Sequence, residues 1–440
     1  MFTAARSSVP LLFMAAALAA PLAARADLVT DSTMSLRQAI RDANTSAPAA
    51  SRDFAILTTA IFDAVNGVTP KYESYRVAPA ATAGSSAEAA AASAAHAVLT
   101  ALYPAQAATF DANYSAQLGA LPSGTSRDNG AAWGALVANN ILNWRANDNA
   151  NQLANYVAGT QPGDWRPTSP TFGAPESAQW PTVTPWIMAS GSQFRPAGGP
   201  PALTSNTYAA DYNEAFQLGS STSAIRTEDQ TTSAIFWSYA PGSQTAVGHW
   251  NSIAQAAIAG KGFSLVESAR LFAALNTAIA DAAIVASDAA YTYEFWRPIA
   301  AIREGATDGN ASTSPLINWD PLVTTPLSPE YISANATMAG SAAGVLNYLL
   351  GTESGVSATS DSIPTTSIFF DSFDTAAIDA SLAGIYGGIQ FRSSAIVGLT
   401  TGQTLGSQVV MNHFQEAKIP EPSSSVLALL ALAWSARRKR

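Results

Sequence analysis

Few side chains in this 440-residue chain are suited to catalysis: there is no cysteine, and histidine occurs only at His96, His249 and His413. Without cysteine there can be no disulfide, thiolate metal ligand or thiol nucleophile. The histidines are too widely spaced for a local metal motif, so no metal site is expected from them. His249 stands beside Trp250, where a hydrogen-bonded core imidazole is a simpler role than acid–base catalysis. His96 falls in an alanine-rich stretch and His413 near the last helical segment, positions suited to structural or exposed side chains. Arg297, in Phe295-Trp296-Arg297-Pro298, offers a guanidinium either to an anion or to a buried carboxylate such as Asp288 or Glu294. Ser333 precedes an alanine-rich run and suits the N-cap of a helix beginning near Ala334.

These groups need a scaffold, and the composition favours helices. Hydrophobic residues make up 48% of the chain and charged residues only 12%, about half the usual charged share. Alanine fills much of the difference, which favours closely packed helices. Phe54, Leu57, Ile61 and Val65 recur at helical spacing over residues 53–66. Ser264 and Glu267 have the spacing of a capping box, opening a helix whose Phe272, Leu275 and Ile279 share one stripe. Similar patterns cover residues 85–103, 129–147, 207–219 and 336–350. No alternating run is long enough to predict a sheet. Residues 159–203, rich in Pro and Gly and containing Trp165, Trp180 and Trp186, predict an irregular connector between two helical halves. Residues 305–328 read as a second loop, and 351–366 as a Ser/Thr-rich surface segment. The net charge of −9 argues against nucleic acid as a partner.

The two ends read as addresses. Residues 1–26 have the layout of a secretory signal peptide: Arg6, an apolar run from Val9 to Ala20, and Ala24-Arg25-Ala26 as a cleavage site. A short buried helix is the alternative. At the other end Pro420-Glu421-Pro422 precedes an apolar run, Val426 to Trp434, and the basic Arg437-Arg438-Lys439-Arg440. This order resembles the PEP-CTERM sorting signal of Gram-negative bacteria, and a plain membrane anchor is the alternative. The resemblance implies transient inner-membrane anchoring and a protease-transpeptidase that removes residues 419–440. Delivery to the cell surface or an exopolysaccharide matrix would follow. The folded region is then 27–418, divided into N-terminal helices (27–158), connector (159–203) and C-terminal helices (204–418).

Several segments between these ends resemble, in order, the vanadium-dependent haloperoxidases of the phosphatidic acid phosphatase type 2 superfamily. They are Ala60-Ile61-Phe62-Asp63-Ala64-Val65-Asn66 with Tyr72-Glu73, Leu102-Tyr103-Pro104-Ala105-Gln106 and Trp144-Arg145-Ala146-Asn147-Asp148. Gly163-Asp164-Trp165-Arg166-Pro167, Phe194-Arg195-Pro196, Gly248-His249-Trp250-Asn251 and Phe295-Trp296-Arg297-Pro298 complete the series. The resemblance implies an all-α fold of two four-helix units with long irregular loops, and a possible homodimer. It also implies a cage of three motifs around vanadate.

Position by position, the first motif keeps Arg297-Pro298, but its Lys falls on Ala290. The second, Pro-Ser-Gly-His, falls on Ile332-Ser333-Ala334-Asn335, with Glu330-Tyr331 leading in. The third places Ala383-Gly384 where Ser-Arg is expected, and Gln390 where the vanadium-bound His is expected. Its frame, Ile385-Tyr386-Gly387-Gly388-Ile389 and Phe391-Arg392, is intact. What remains for an oxyanion is Arg297, Ser333 and the backbone N–H of Ala334. Each lost charge-assisted hydrogen bond is worth roughly 1.5–3 kcal/mol, so roughly 5–9 kcal/mol of oxyanion binding is absent. That corresponds to about three to six decades of affinity. Asn335 and Gln390 cannot replace the two histidines as base or metal ligand, so no catalytic residue, metal ligand or vanadate cofactor is expected. The expectation is an exported pseudoenzyme. The alternative is an active haloperoxidase- or acid-phosphatase-like enzyme with an anion site rebuilt around Arg297 and Ser333, using Asn335, Gln390, Arg392 or His249.

Overall fold

The computed structural model describes residues 28–78 and 81–417; the signal-like segment 1–26 and the sorting-like segment 419–440 lie outside the described residues. Thirteen α-helices and one two-stranded sheet are present among the described residues. The first group comprises α1 (Leu28–Ala43), α2 (Ala47–Val68), α3 (Ala87–Leu102), α4 (Ala107–Gly119) and α5 (Thr125–Arg145). After the connector come α6 (Asn206–Leu218), α7 (Glu228–Phe236), α8 (Thr245–Ile258), α9 (Leu265–Tyr293) and α10 (Pro298–Arg303). The chain closes with α11 (Ala334–Leu350), the strands β1 (Val356–Ser360) and β2 (Ile363–Phe370), α12 (Phe373–Tyr386) and α13 (Arg392–Asn412).

α9 is the axis. Its first turn closes as the capping spacing predicts, with the Ser264 N–H donating to Glu267 Oε2 at 2.9 Å. It is long and apolar enough to cross a membrane, but 94% of its most apolar stretch is buried inside the protein. One side packs on α2, which also packs on α3 and α5; the other packs on α11 and α13. Glu294 ends α9 in the left-handed region, at φ 50°. The chain then turns into Phe295–Arg297, and Arg297 is the residue before Pro298 opens α10.

α11 and α13 pack most extensively of all. Gly398, Gly402 and Gly406 lie at i, i+4 and i+8 on α13, where an added Cβ would strike the backbone of Ser333, Thr337 and Ser341. Such close backbone approach explains why so much of this interface is Gly, Ala and Ser. The connector is irregular as expected, with 3₁₀ turns only at Trp180–Thr182 and Gly191–Phe194 and all three of its tryptophans buried.

One expectation fails. The segment 351–366, read as a Ser/Thr-rich surface segment in a chain with no sheet expected, contains β1 and the first half of β2. The strands pair antiparallel, with Val356 opposite Phe370 and Ala358 opposite Ile368 and an irregularity at Thr359/Ser360. β1 alternates buried and exposed residues, but Ala358 and Ser360 fill inward positions, so the alternation is barely visible as hydrophobicity. Contact with α8 and the bond from Ser360 Oγ to the Phe236 carbonyl (2.6 Å) hold it in place.

Candidate functional site

The three motif segments converge where α9 ends, α11 begins and α12 turns into α13. Glu330 joins them. Its N–H donates to the Phe295 carbonyl (2.9 Å), its Oε1 accepts from the Phe391 N–H (2.8 Å), and its carbonyl accepts from Ser394 Oγ (3.3 Å). The Ser333 N–H reaches the Ser394 carbonyl at 3.4 Å. In the sequence Glu330 stands out only as part of the lead-in to Ser333. A lone carboxylate between apolar residues and two prolines was the available signal.

Arg297 is buried, with 3% of its surface exposed. Nε donates to the Ser328 carbonyl (2.8 Å) and Nη1 to the Ile389 carbonyl (3.0 Å). Nη2 donates to Ser328 Oγ (3.0 Å) and the Pro329 carbonyl (3.1 Å). The pairing with Asp288 or Glu294 considered from sequence does not occur. Asp288 is held in a fork by Arg195 at 2.5 and 2.8 Å. Burial lowers Arg297 to about 10 against the opposing pull of Glu330. Burial also raises Glu330 to about 7, although Arg297 and the Phe391 N–H favour its ionised form. Its Oε2 is buried without a partner.

The other motif positions are neutral. Ala290 is buried in the last turn of α9, its carbonyl accepting the Glu294 N–H at 2.8 Å. Ser333 is the N-cap of α11, as expected, its Oγ accepting from the Ala336 N–H at 3.2 Å. Ala334 is exposed at the helix start. Asn335 Nδ2 donates to the Ala380 carbonyl on α12 (3.2 Å), which directs Oδ1 away, and Oδ1 is buried without a donor. Gln390, 7% exposed, also has a buried Oε1 without a donor. Its stem lies over Gly384: a Cβ on Gly384 would stand 2.6 Å from Gln390 Cγ.

The candidate helpers are engaged elsewhere. His249 stacks on Trp237 (4.7 Å) with Nδ1 3.2 Å from the Tyr239 hydroxyl, and burial lowers it to about 4. Arg392 forks onto Glu214 at 2.7 and 2.5 Å. His96 bonds Asp111 at 2.7 Å and stacks on Tyr114. His413 is the residue that ends α13. No group of three or more His, Asp or Glu able to hold a metal ion occurs among the described residues.

The segments that carry the resemblance act as staples. Asp63 accepts from the N–H groups of Tyr75, Arg76 and Val77 at 2.8–2.9 Å. Asn66 clamps the backbone of Lys71 and Tyr72. Arg145, fully buried, pairs with Asp148 (2.7 Å) and lies 4.1 Å from the Trp186 ring. The Asp164 segment bridges Phe295, with the Trp296 N–H on the Gly163 carbonyl at 2.9 Å.

A helical scaffold with three chain segments meeting behind a buried arginine defines a class, and comparison with known proteins identifies it. Residues 270–417 match the family model of the VCPO second helical-bundle domain. A solved structure described as the first bacterial vanadium-dependent iodoperoxidase superposes with a TM-score of 0.79 at 25% identity, covering 89% of this chain and 98% of that one. Holo and apo structures of a bacterial vanadium-dependent chloroperoxidase give TM-scores of 0.65 and 0.67 at 16% and 14% identity. Each covers 84% of this chain, and 93% and 94% of the respective chloroperoxidase chains. No curated protein matches the sequence. Over residues 270–417 the chain matches the second domain of this family, and its fold as a whole is that of the vanadium haloperoxidases.

Proposed function

We propose that this protein is an exported, non-catalytic member of the superfamily, acting as a binding or structural component of the cell envelope or matrix. The observation that carries this reading is the engagement of Arg297. Its guanidinium, the one cation left at the motif positions, donates to four oxygens of the chain itself. The residues present do not fit vanadate. A buried multiple anion needs several cations or strong donors, whereas Asn335 and Gln390 contribute carbonyl oxygens that would repel it. In an enzyme rebuilt around Arg297 and Ser333, neither hydroxyl nor imidazole is free to serve as base, since Ser333 Oγ caps α11 and His249 is stacked on Trp237.

Calorimetric titration with orthovanadate and a bromide-dependent phenol-dye oxidation assay test the reading. No binding at micromolar vanadate and no turnover are expected; either one would overturn it. Export, anchoring and C-terminal processing rest on residues 1–26 and 419–440. Fractionation of cells expressing the native chain and one truncated after Lys418 tests them. The native chain should pass through the inner membrane to the surface or matrix, and the truncated one should never be membrane-held.

A further inference from the structure

We infer that the start of α11 and the facing side of α12 form a site for a neutral, hydroxyl-bearing small molecule rather than an oxyanion. The inference rests on the reading that the vanadate cage is no longer functional, and it concerns what replaced it. Two amide side chains lie against α12. Asn335 reaches the carbonyl of Ala380, and the stem of Gln390 covers Gly384, one helical turn further along. Each leaves a buried carbonyl oxygen without a donor, and Gln390 is more than nine-tenths buried. A buried acceptor left unpaired costs about 1–3 kcal/mol, so the pair calls for a guest that donates.

The same place also supplies donors. Ala334 and Asn335 are the first residues of α11, whose N–H groups the helix leaves free. Ala334 is exposed, so the site borders solvent.

Charge selects among guests. An anion would meet two orphan carbonyl oxygens, with the Glu330 carboxyl group behind Phe391. A cation would meet the positive end of α11 and the buried guanidinium of Arg297, one residue from Gln390 through the Ile389 carbonyl. A hydroxyl group both donates and accepts, so a polyol satisfies the amide oxygens and the helix N–H groups together.

The test is saturation-transfer NMR on the full chain with glycerol as the probe, alongside orthovanadate and rubidium chloride as competitors. Transfer to glycerol is expected in the native protein and should fall at least tenfold in both Gln390→Leu and Asn335→Leu. Gln390→Leu removes an unpaired acceptor with little change of volume, so its melting temperature should hold or rise, which separates lost binding from lost folding. Absent transfer, transfer unchanged in both variants, or competition by rubidium overturns the inference and leaves the non-catalytic reading intact. Competition by vanadate overturns both.

Discussion

Gly384 and Gln390 should behave as one packing unit, and a double-mutant cycle would measure it. Gly384 lies in the last turns of α12, where Ala would ordinarily gain roughly 0.5–1 kcal/mol over Gly. A methyl group there would stand 2.6 Å from Gln390 Cγ and 3.1 Å from its Cβ. Gln390 has little room to yield: it is buried, and its N–H is tied to the Gly384 carbonyl at 3.2 Å. Overpacking of this kind costs about 1–3 kcal/mol, so Gly384→Ala in the native background should be neutral or destabilising by up to about 2 kcal/mol. In a Gln390→Ala background Cγ is absent, and the same change should stabilise by up to about 1 kcal/mol. The coupling energy from urea unfolding should therefore be about 1–3 kcal/mol. Additivity within about 0.5 kcal/mol would refute the packing argument. The consequence for chemistry is direct. An arginine at 384 would leave the helix along the same Cβ vector, so it and the present placement of Gln390 exclude each other.

Four further outcomes are expected. Restoring Ala290→Lys, Asn335→His, Gly384→Arg and Gln390→His together should recover measurable vanadate binding by calorimetry, while Gly384→Arg alone should only lower the melting temperature. Asp53, Asp63 and Asp281 are raised by burial to about 6 and Glu330 to about 7, so the folded state holds protons that the unfolded state has released. That stability is present at low pH and lost as pH rises through 6–7; His249, lowered to about 4, opposes it by losing stability as pH falls. The urea midpoint should thus be higher at pH 5 than at pH 8, with Glu330→Gln flattening the change between pH 6 and 8. Arg145→Ala, which leaves Asp148 with Arg52 as its one cationic partner and removes the guanidinium packed on Trp144 and Trp186, should cost about 1.5–3 kcal/mol in the same assay. Ser333→Ala should cost about 1 kcal/mol through loss of the α11 cap, and no loss would remove that role.

Much of the scaffold was legible because its signals are local. The capping residues Ser264 and Glu267 mark the start of α9, and the stripe through Phe54, Leu57, Ile61 and Val65 lies within α2. The helices expected at 85–103, 129–147, 207–219 and 336–350 correspond to α3, α5, α6 and α11 within a few residues at each end. The hairpin was hidden because its inward residues include Ala358 and Ser360, and long-range packing rather than hydrophobicity selects the strand. The partners of Arg297 were hidden for a related reason. They are mainly main-chain carbonyls of Ser328, Pro329 and Ile389, and a carbonyl carries no sequence signature. The carboxylate that the sequence offers nearby, Asp288, is held by Arg195.

The segments that carry the family resemblance and the positions that depart from it perform different physical jobs. Asp63, Asn66, Arg145, Asp164 and Arg195 each fix backbone or another helix, and losing any of them would leave buried polar groups unpaired. The positions of the oxyanion cage carry no such penalty. A lysine, arginine or histidine directed at a guest is neutralised by the guest, so once the guest is gone the cation is a buried liability and small or neutral residues are favoured. Ala290, Gly384, Asn335 and Gln390 follow that rule. Arg297 departs from it because its guanidinium also fastens the loop at Ser328 and Pro329 to the turn at Ile389. That structural task accounts for a buried guanidinium at this position on the proposed non-catalytic reading as well.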